Sequence, residues 1–170
     1  MELHSLIIAA ADAAAAPRDI VLAICEQESS FDPWAWNPEP RYRYLWDVSL
    51  QRPFRKLTPA EDASEIPPAD FRAYKGVPAD AEWWGQQASW GLMQVMGAVA
   101  REHGFMGRFL SQLCDPPEGL RYGCLTLAHY LKRFKEPFPA LEAYNGGPGA
   151  VGRNAKYAGE VLARLEHFRA

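Results

Sequence analysis

Apolar residues recur at steps of three and four toward both ends of this chain, and no run alternates strictly enough for a strand of useful length. Leu3, Leu6, Ile7, Ala10, Ala11 and Ala14 predict a first helix over residues 2–15. Pro17 suits the first turn of a second helix, where its missing N–H does no harm. Ile20, Val21, Ile24, Cys25 and Glu28 then follow at helical spacing. The pattern returns after Gly91. Residues 98–103 read as a short helix stopped by Gly104. Residues 117–135 form a long amphipathic helix carrying Leu120, Cys124, Leu127, Leu131 and Phe134. A short helix leads into Tyr144 and Asn145, and a last one carries Tyr157, Val161, Leu162, Leu165 and Phe168. The expected fold is mainly α.

Residues 33–90 break this regularity. They hold eight of the 14 prolines and all six tryptophans: Trp34, Trp36, Trp46, Trp83, Trp84 and Trp90. Proline at that density ends helices, whereas so many aromatic rings argue against disorder. We expect a folded, irregular insertion with at most a small β-hairpin. Its tryptophans either pack into a small core of their own or offer flat faces to a ligand.

A chain of 170 residues suits one domain with a sizeable core. The net charge of -3 gives no footprint for nucleic acid and no polybasic membrane anchor. Cys25, Cys114 and Cys124 lack metal-site spacing, and His4, His103, His129 and His167 form no ligand pair, so neither a metal nor an organic cofactor is expected. A Cys114–Cys124 bridge stays open under oxidising conditions. No apolar run is long enough to span a bilayer. The N-terminal Leu/Ile/Ala run imitates a signal peptide, but Glu2 and Asp12 do not fit one, and it is read as a mature helix. Nothing sets the oligomeric state, for which a monomer is the default.

Helical spacing places Glu28 over Ile24 and Cys25 on the buried stripe, where a carboxylate is costly unless paired or functional. Its alternatives are an arginine ion pair or service as an acid whose pKa burial has raised. Glu26 faces away and is expected to be solvated. Gly91 opens Gly91-Leu92-Met93-Gln94-Val95-Met96 and suits close backbone approach to a ligand. Gln94 brings an amide that both donates and accepts. Met93 and Met96 either fill core or line a cleft. Tyr144 and Asn145 stand before the glycine turn Gly146-Gly147, where Asn145 caps backbone or meets a ligand.

In chain order, Glu28-Ser29-Ser30-Phe31, the block 91–96, Ala143-Tyr144-Asn145-Gly146-Gly147 and a helix with Tyr157-Ala158 and Val161-Leu162 resemble the soluble lytic transglycosylases of the lysozyme-like superfamily. The resemblance runs from the first helix to about residue 165. It departs in the long insertion and in Tyr157-Ala158, where the family pattern has Tyr-Val. It implies a lysozyme-like helical fold and a peptidoglycan glycan strand as partner. It also implies Glu28 as the single acid and base, with Gln94 and Met96 lining the cleft and Tyr144 bonded to Glu28 or to the substrate. Ser29 binds substrate or caps its helix, and Tyr157 reaches the cleft or packs in the core. The family dispenses with a second carboxylate by substrate assistance, closing a 1,6-anhydro ring. Asp32, Asp47, Asp70 and Asp80 lie in or near the insertion, where patterning does not place them. A hydrolytic muramidase using an insertion carboxylate, or a non-catalytic wall-binding module, are the alternatives. Such a substrate lies outside the cytoplasm, yet no export signal is convincing. A virion part, a holin-released lysis enzyme, a secretion-apparatus enzyme and a processed chain all fit.

Overall fold

Ile20, Val21, Ile24 and Cys25 are buried as their spacing requires, and the rest of the chain packs around that stripe. The computed structural model describes residues 2–168. Helix α1 (Leu3–Ala13) and α2 (Arg18–Ser29) pack on each other, with Ile7 and Ala11 of α1 fully enclosed. The long helix α6 (Pro116–Phe134) runs through the centre and touches α1 and α7 (Pro137–Gly146). Its start has proline in the first turn and Glu118 near the positive dipole end; Lys132 and Arg133 sit at the negative end. Gly123 brings α6 close to the chain beside it, because a Cβ there would lie 2.5 Å from the Met93 sulfur. Helix α8 (Ala155–Ala163) packs against α7 and α2.

The insertion is folded. It contains β1 (Trp36–Pro38), β2 (Trp46–Asp47), β3 (Arg52–Pro53), α3 (Pro59–Asp62), α4 (Ala79–Gln86) and β4 (Ala88–Trp90). Beyond it lie β5 (Val95–Met96) and α5 (Gly97–Glu102). Strands β1, β4 and β5 form one antiparallel sheet, and β2 pairs with β3. The sheet therefore reaches past the insertion: the turn at residues 91–94 folds β5 back onto β4, with the Gln94 amide N–H donating to the Gly91 carbonyl at 3.1 Å. Gly91 has φ +69°, and a Cβ would stand 2.5 Å from the Leu113 carbonyl oxygen. Its close approach is thus to protein backbone, not to a ligand as the sequence suggested.

The tryptophans divide between core and surface. Trp83, 1% exposed, joins Leu45 and Phe71 in a small core of the insertion's own. Trp34 and Trp36 are 74% and 57% exposed. A buried network ties the insertion to the helical body. Arg101 of α5 donates through Nε and Nη2 to both carboxylate oxygens of Glu82 of α4, each at 2.8 Å. Gln86 donates to the same carboxylate and exchanges two hydrogen bonds with the Trp46 backbone. All three cysteines are free and buried, so Cys114 and Cys124 form no bridge.

Candidate active site

Helix α2 ends abruptly, and that ending presents Glu28. The Phe31 N–H returns to the Cys25 carbonyl and the Ser30 N–H to that of Glu26, a Schellman-type closure. Ser30 and Phe31 hold the left-handed conformation usually left to glycine, with φ of 50° and 65°. Phe31 is held against His4 and Phe168 at 5.1 and 6.2 Å between ring centroids. The Ser29 hydroxyl is shared between the carbonyls of Cys25 and Leu92, both at 2.9 Å. Ser29 therefore clamps the first block to the second, and it is not one of the residues lining the cleft.

Glu28 lines a cleft of about 300 Å³ together with Gln94, Met96, Tyr144 and Asn145. Cys25 lies beside Glu28, and Cys25 in turn neighbours Cys124, whose Sγ is 3.8 Å from the Met93 sulfur. Met93 is core. Burial pushes the Glu28 carboxyl above its ordinary range, and the hydroxyl of Tyr157, donating to Oε1 at 2.5 Å, pulls partly the other way. Among the described residues no ion pair reaches Glu28. Glu26, expected in solvent, is half-buried and lies 3.0 Å from His167 and 3.7 Å from Arg164.

The hydroxyl on Glu28 is thus that of Tyr157, not of Tyr144. Tyr144 lines the same cleft, but its O–H donates at 2.8 Å to the Met93 carbonyl. Tyr157 wins because α8 packs on α2 and carries its first turn past the carboxyl. A carboxylate the sequence did not single out fixes that entry. Glu142, buried in α7, accepts the backbone N–H groups of Gly152 and Asn154 just before α8. Asn145 accepts from the Asn154 side chain at 2.7 Å while still bordering the cleft. Tyr157→Phe removes the bond that favours the ionised form of Glu28, so the carboxyl should rise further. The alkaline limb of any activity depending on protonated Glu28 should then move to higher pH, with the maximal rate lowered roughly five- to tenfold. A pH–rate profile checks both, and an unmoved limb would remove Tyr157 from this role.

Gln94 has a stronger structural role than its type suggested. Its φ is +46°, and its amide donates to the carbonyls of Ala35 and Gly91 at 3.0 and 2.9 Å. Its oxygen accepts from Ser89 at 2.8 Å. Both amide hydrogens are spent internally, leaving one carbonyl lone pair for a ligand. The side chain instead locks the sheet to the cleft wall.

The cleft holds a second carboxylate that sequence reasoning missed. Glu39 and Asn37 both line it, and the Asn37 amide donates to Glu39 at 2.6 Å. Asn37 pairs with Ser89 across the sheet, and Ser89 with Met96, so all three face the cleft. Residues two apart on a strand share a face, a signal available had β1 been assigned. Among the described residues no cluster of three His, Cys, Asp or Glu is arranged to hold a metal, and no helix is long and apolar enough to cross a membrane. No curated protein and no solved structure matches the chain. The family model of the transglycosylase SLT domain matches residues 5–166.

Proposed function

The chain belongs to the transglycosylase SLT domain family, whose activity is directed at peptidoglycan, and from that premise we propose that it cleaves the β-1,4 bond between N-acetylmuramic acid and N-acetylglucosamine with Glu28 as sole acid and base. The observation that carries this reading is a desolvated carboxyl at the cleft wall, without an ion pair among the described residues and held by one tyrosine hydroxyl. Such a group keeps its proton to a higher pH and can deliver it to the departing oxygen.

In the proposed sequence the N-acetylglucosamine oxygen leaves with the Glu28 proton. The muramic 2-acetamido oxygen bonds to the anomeric carbon as that bond breaks. Glu28, now ionised, takes the proton of the same sugar's 6-hydroxyl, whose oxygen displaces the acetamido oxygen and closes a 1,6-anhydro ring. Water is not consumed, and the carboxyl ends protonated again. Tyr157 stabilises the ionised state between the two transfers. The substrate places this action at the cell wall.

Glu39 supports a second reading, hydrolysis, in which it activates water on the face of the sugar opposite Glu28. Mass spectrometry of fragments released from purified sacculi separates the two. Products one water lighter than the hydrolytic fragments are expected, and Glu39→Gln should leave their identity unchanged. Reducing-end products that vanish in Glu39→Gln would replace the anhydro scheme with hydrolysis.

A further inference from the structure

A second chamber of about 410 Å³ adjoins the Glu28 cleft, and Val99, Tyr130, Asn145 and Gly147 line both. Its far wall is built by the insertion, which contributes Tyr42 and Tyr44. The end of α5 adds Glu102, the residue after it adds His103, and α6 adds Arg133 beside Tyr130. The tyrosines are presented from an anchored segment. Between them, Arg43 is paired with Asp62 and donates to the Pro40 carbonyl at 2.6 Å and to Gln87 at 3.0 Å. Two residues on, the Trp46 backbone is fixed by buried Gln86.

The chemistry of this chamber suits a neutral, hydroxyl-rich ligand. Three tyrosine rings offer apolar faces; burial first, with the nearby Glu102 carboxylate adding to it, raises the pKa of all three hydroxyls. Glu102 and Arg133 oppose each other in charge, and burial lowers the pKa of His103, which keeps it uncharged at neutral pH. An anionic peptide stem would find no net positive charge here. A pyranose finds faces to stack on and mixed donors and acceptors for its hydroxyls.

Resting on the reading of the Glu28 cleft as a glycan site, we propose that this chamber is a further saccharide subsite. Through it the strand continues past the cleft, so that the insertion sets the length of glycan the protein grips. The family pattern has a short connection where this chain places Tyr42 and Tyr44, and the subsite is a feature of the insertion.

The test uses the full chain with Glu28→Gln to hold ligands uncleaved, and β-1,4-linked N-acetylglucosamine oligomers as probes. Calorimetry should find the hexamer bound roughly tenfold tighter than the trimer, a gain of the size that aromatic contacts supply. Tyr42→Ala with Tyr44→Ala should erase that gain and leave trimer affinity unchanged. Tyr42→Phe with Tyr44→Phe, which keeps the rings, should retain most of it. Equal weakening of both oligomers, or no change in either, would overturn the subsite. So would a gain that appears only when a stem peptide is attached to the trimer. If wild-type protein digests sacculi but the hexamer binds no tighter than the trimer, the subsite alone falls. If it digests nothing and no oligomer binds, the glycan reading falls and takes the subsite with it.

Discussion

Glu28→Gln is expected to lower the release of soluble fragments from purified sacculi by about a thousandfold or more, because in the proposed scheme one group supplies the proton for departure and removes the one that blocks ring closure. The substitution is nearly isosteric, and the Tyr157 hydroxyl that donates to Oε1 can donate as well to the new amide oxygen. Loss of activity would therefore report missing proton transfer and not a displaced helix. The wild-type rate should fall as pH rises through the raised pKa of Glu28, since only the protonated acid serves the first step. Retention of even a tenth of wild-type activity in the glutamine variant would remove Glu28 from the chemistry.

The same residue carries a stability consequence of fixed sign. Burial raises the folded-state pKa of Glu28 above its unfolded value, so the folded chain binds this proton more tightly. The stability it contributes is complete below the ordinary carboxylate range and is lost as pH rises through the raised folded value. At neutral pH a desolvated carboxylate is a net cost, and Glu28→Gln should fold more stably there, by about 1 kcal/mol or roughly 2–4 °C in Tm. The difference should shrink toward acidic pH. Activity and stability thus move in opposite directions at one position.

The buried place of Glu28 at the cleft was legible because a local rule governs it: helical spacing put it on an apolar stripe. Helix positions were legible for the same reason, since the period belongs to the residues themselves. What sequence could not give were pairings set by how helices meet. Tyr144 and Tyr157 both lie near the carboxyl, and the choice between them depends on the packing of α8 on α2 and on a buried Glu142 that shapes the turn before α8. Gln94 looked like a ligand-facing amide because nothing in the block shows that Ala35, 59 residues earlier, would offer it a carbonyl. Glu39 stayed hidden because β1 is three residues long, too short for alternation to register. In the insertion, proline density signalled irregular structure but not which tryptophans would be enclosed. Trp83 is enclosed because α4 turns it onto Phe71, whereas Trp36 lies tilted against Trp90 at the surface of the sheet, with ring centroids 6.0 Å apart.

Glu82→Ala should be the most destabilising single change in the insertion. It would strand the Arg101 guanidinium, 1% exposed, with Nε and Nη2 unpaired while Nη1 still serves the carbonyls of Phe105 and Gly107. Breaking one side of a buried pair costs about 3–5 kcal/mol, a large share of the roughly 5–15 kcal/mol that holds a domain together. The expected fall in Tm is roughly 10 °C. Glu82→Gln, which keeps one accepting oxygen but turns an NH2 toward groups that themselves donate, should cost less than the alanine change and still a large part of it. Replacing Glu82 and Arg101 together by leucine should recover only part of the loss, because the carbonyls of Phe105 and Gly107 would then be left without a donor. Chemical denaturation of the four proteins checks the order. Below its lowered Tm the alanine variant keeps Glu28, Tyr157 and the cleft, so its activity per folded molecule should stay within about threefold of wild type. A loss of activity in step with Glu28→Gln at temperatures where Glu82→Ala is fully folded would place this pair in the chemistry itself, and the separation between anchor and acid would not hold.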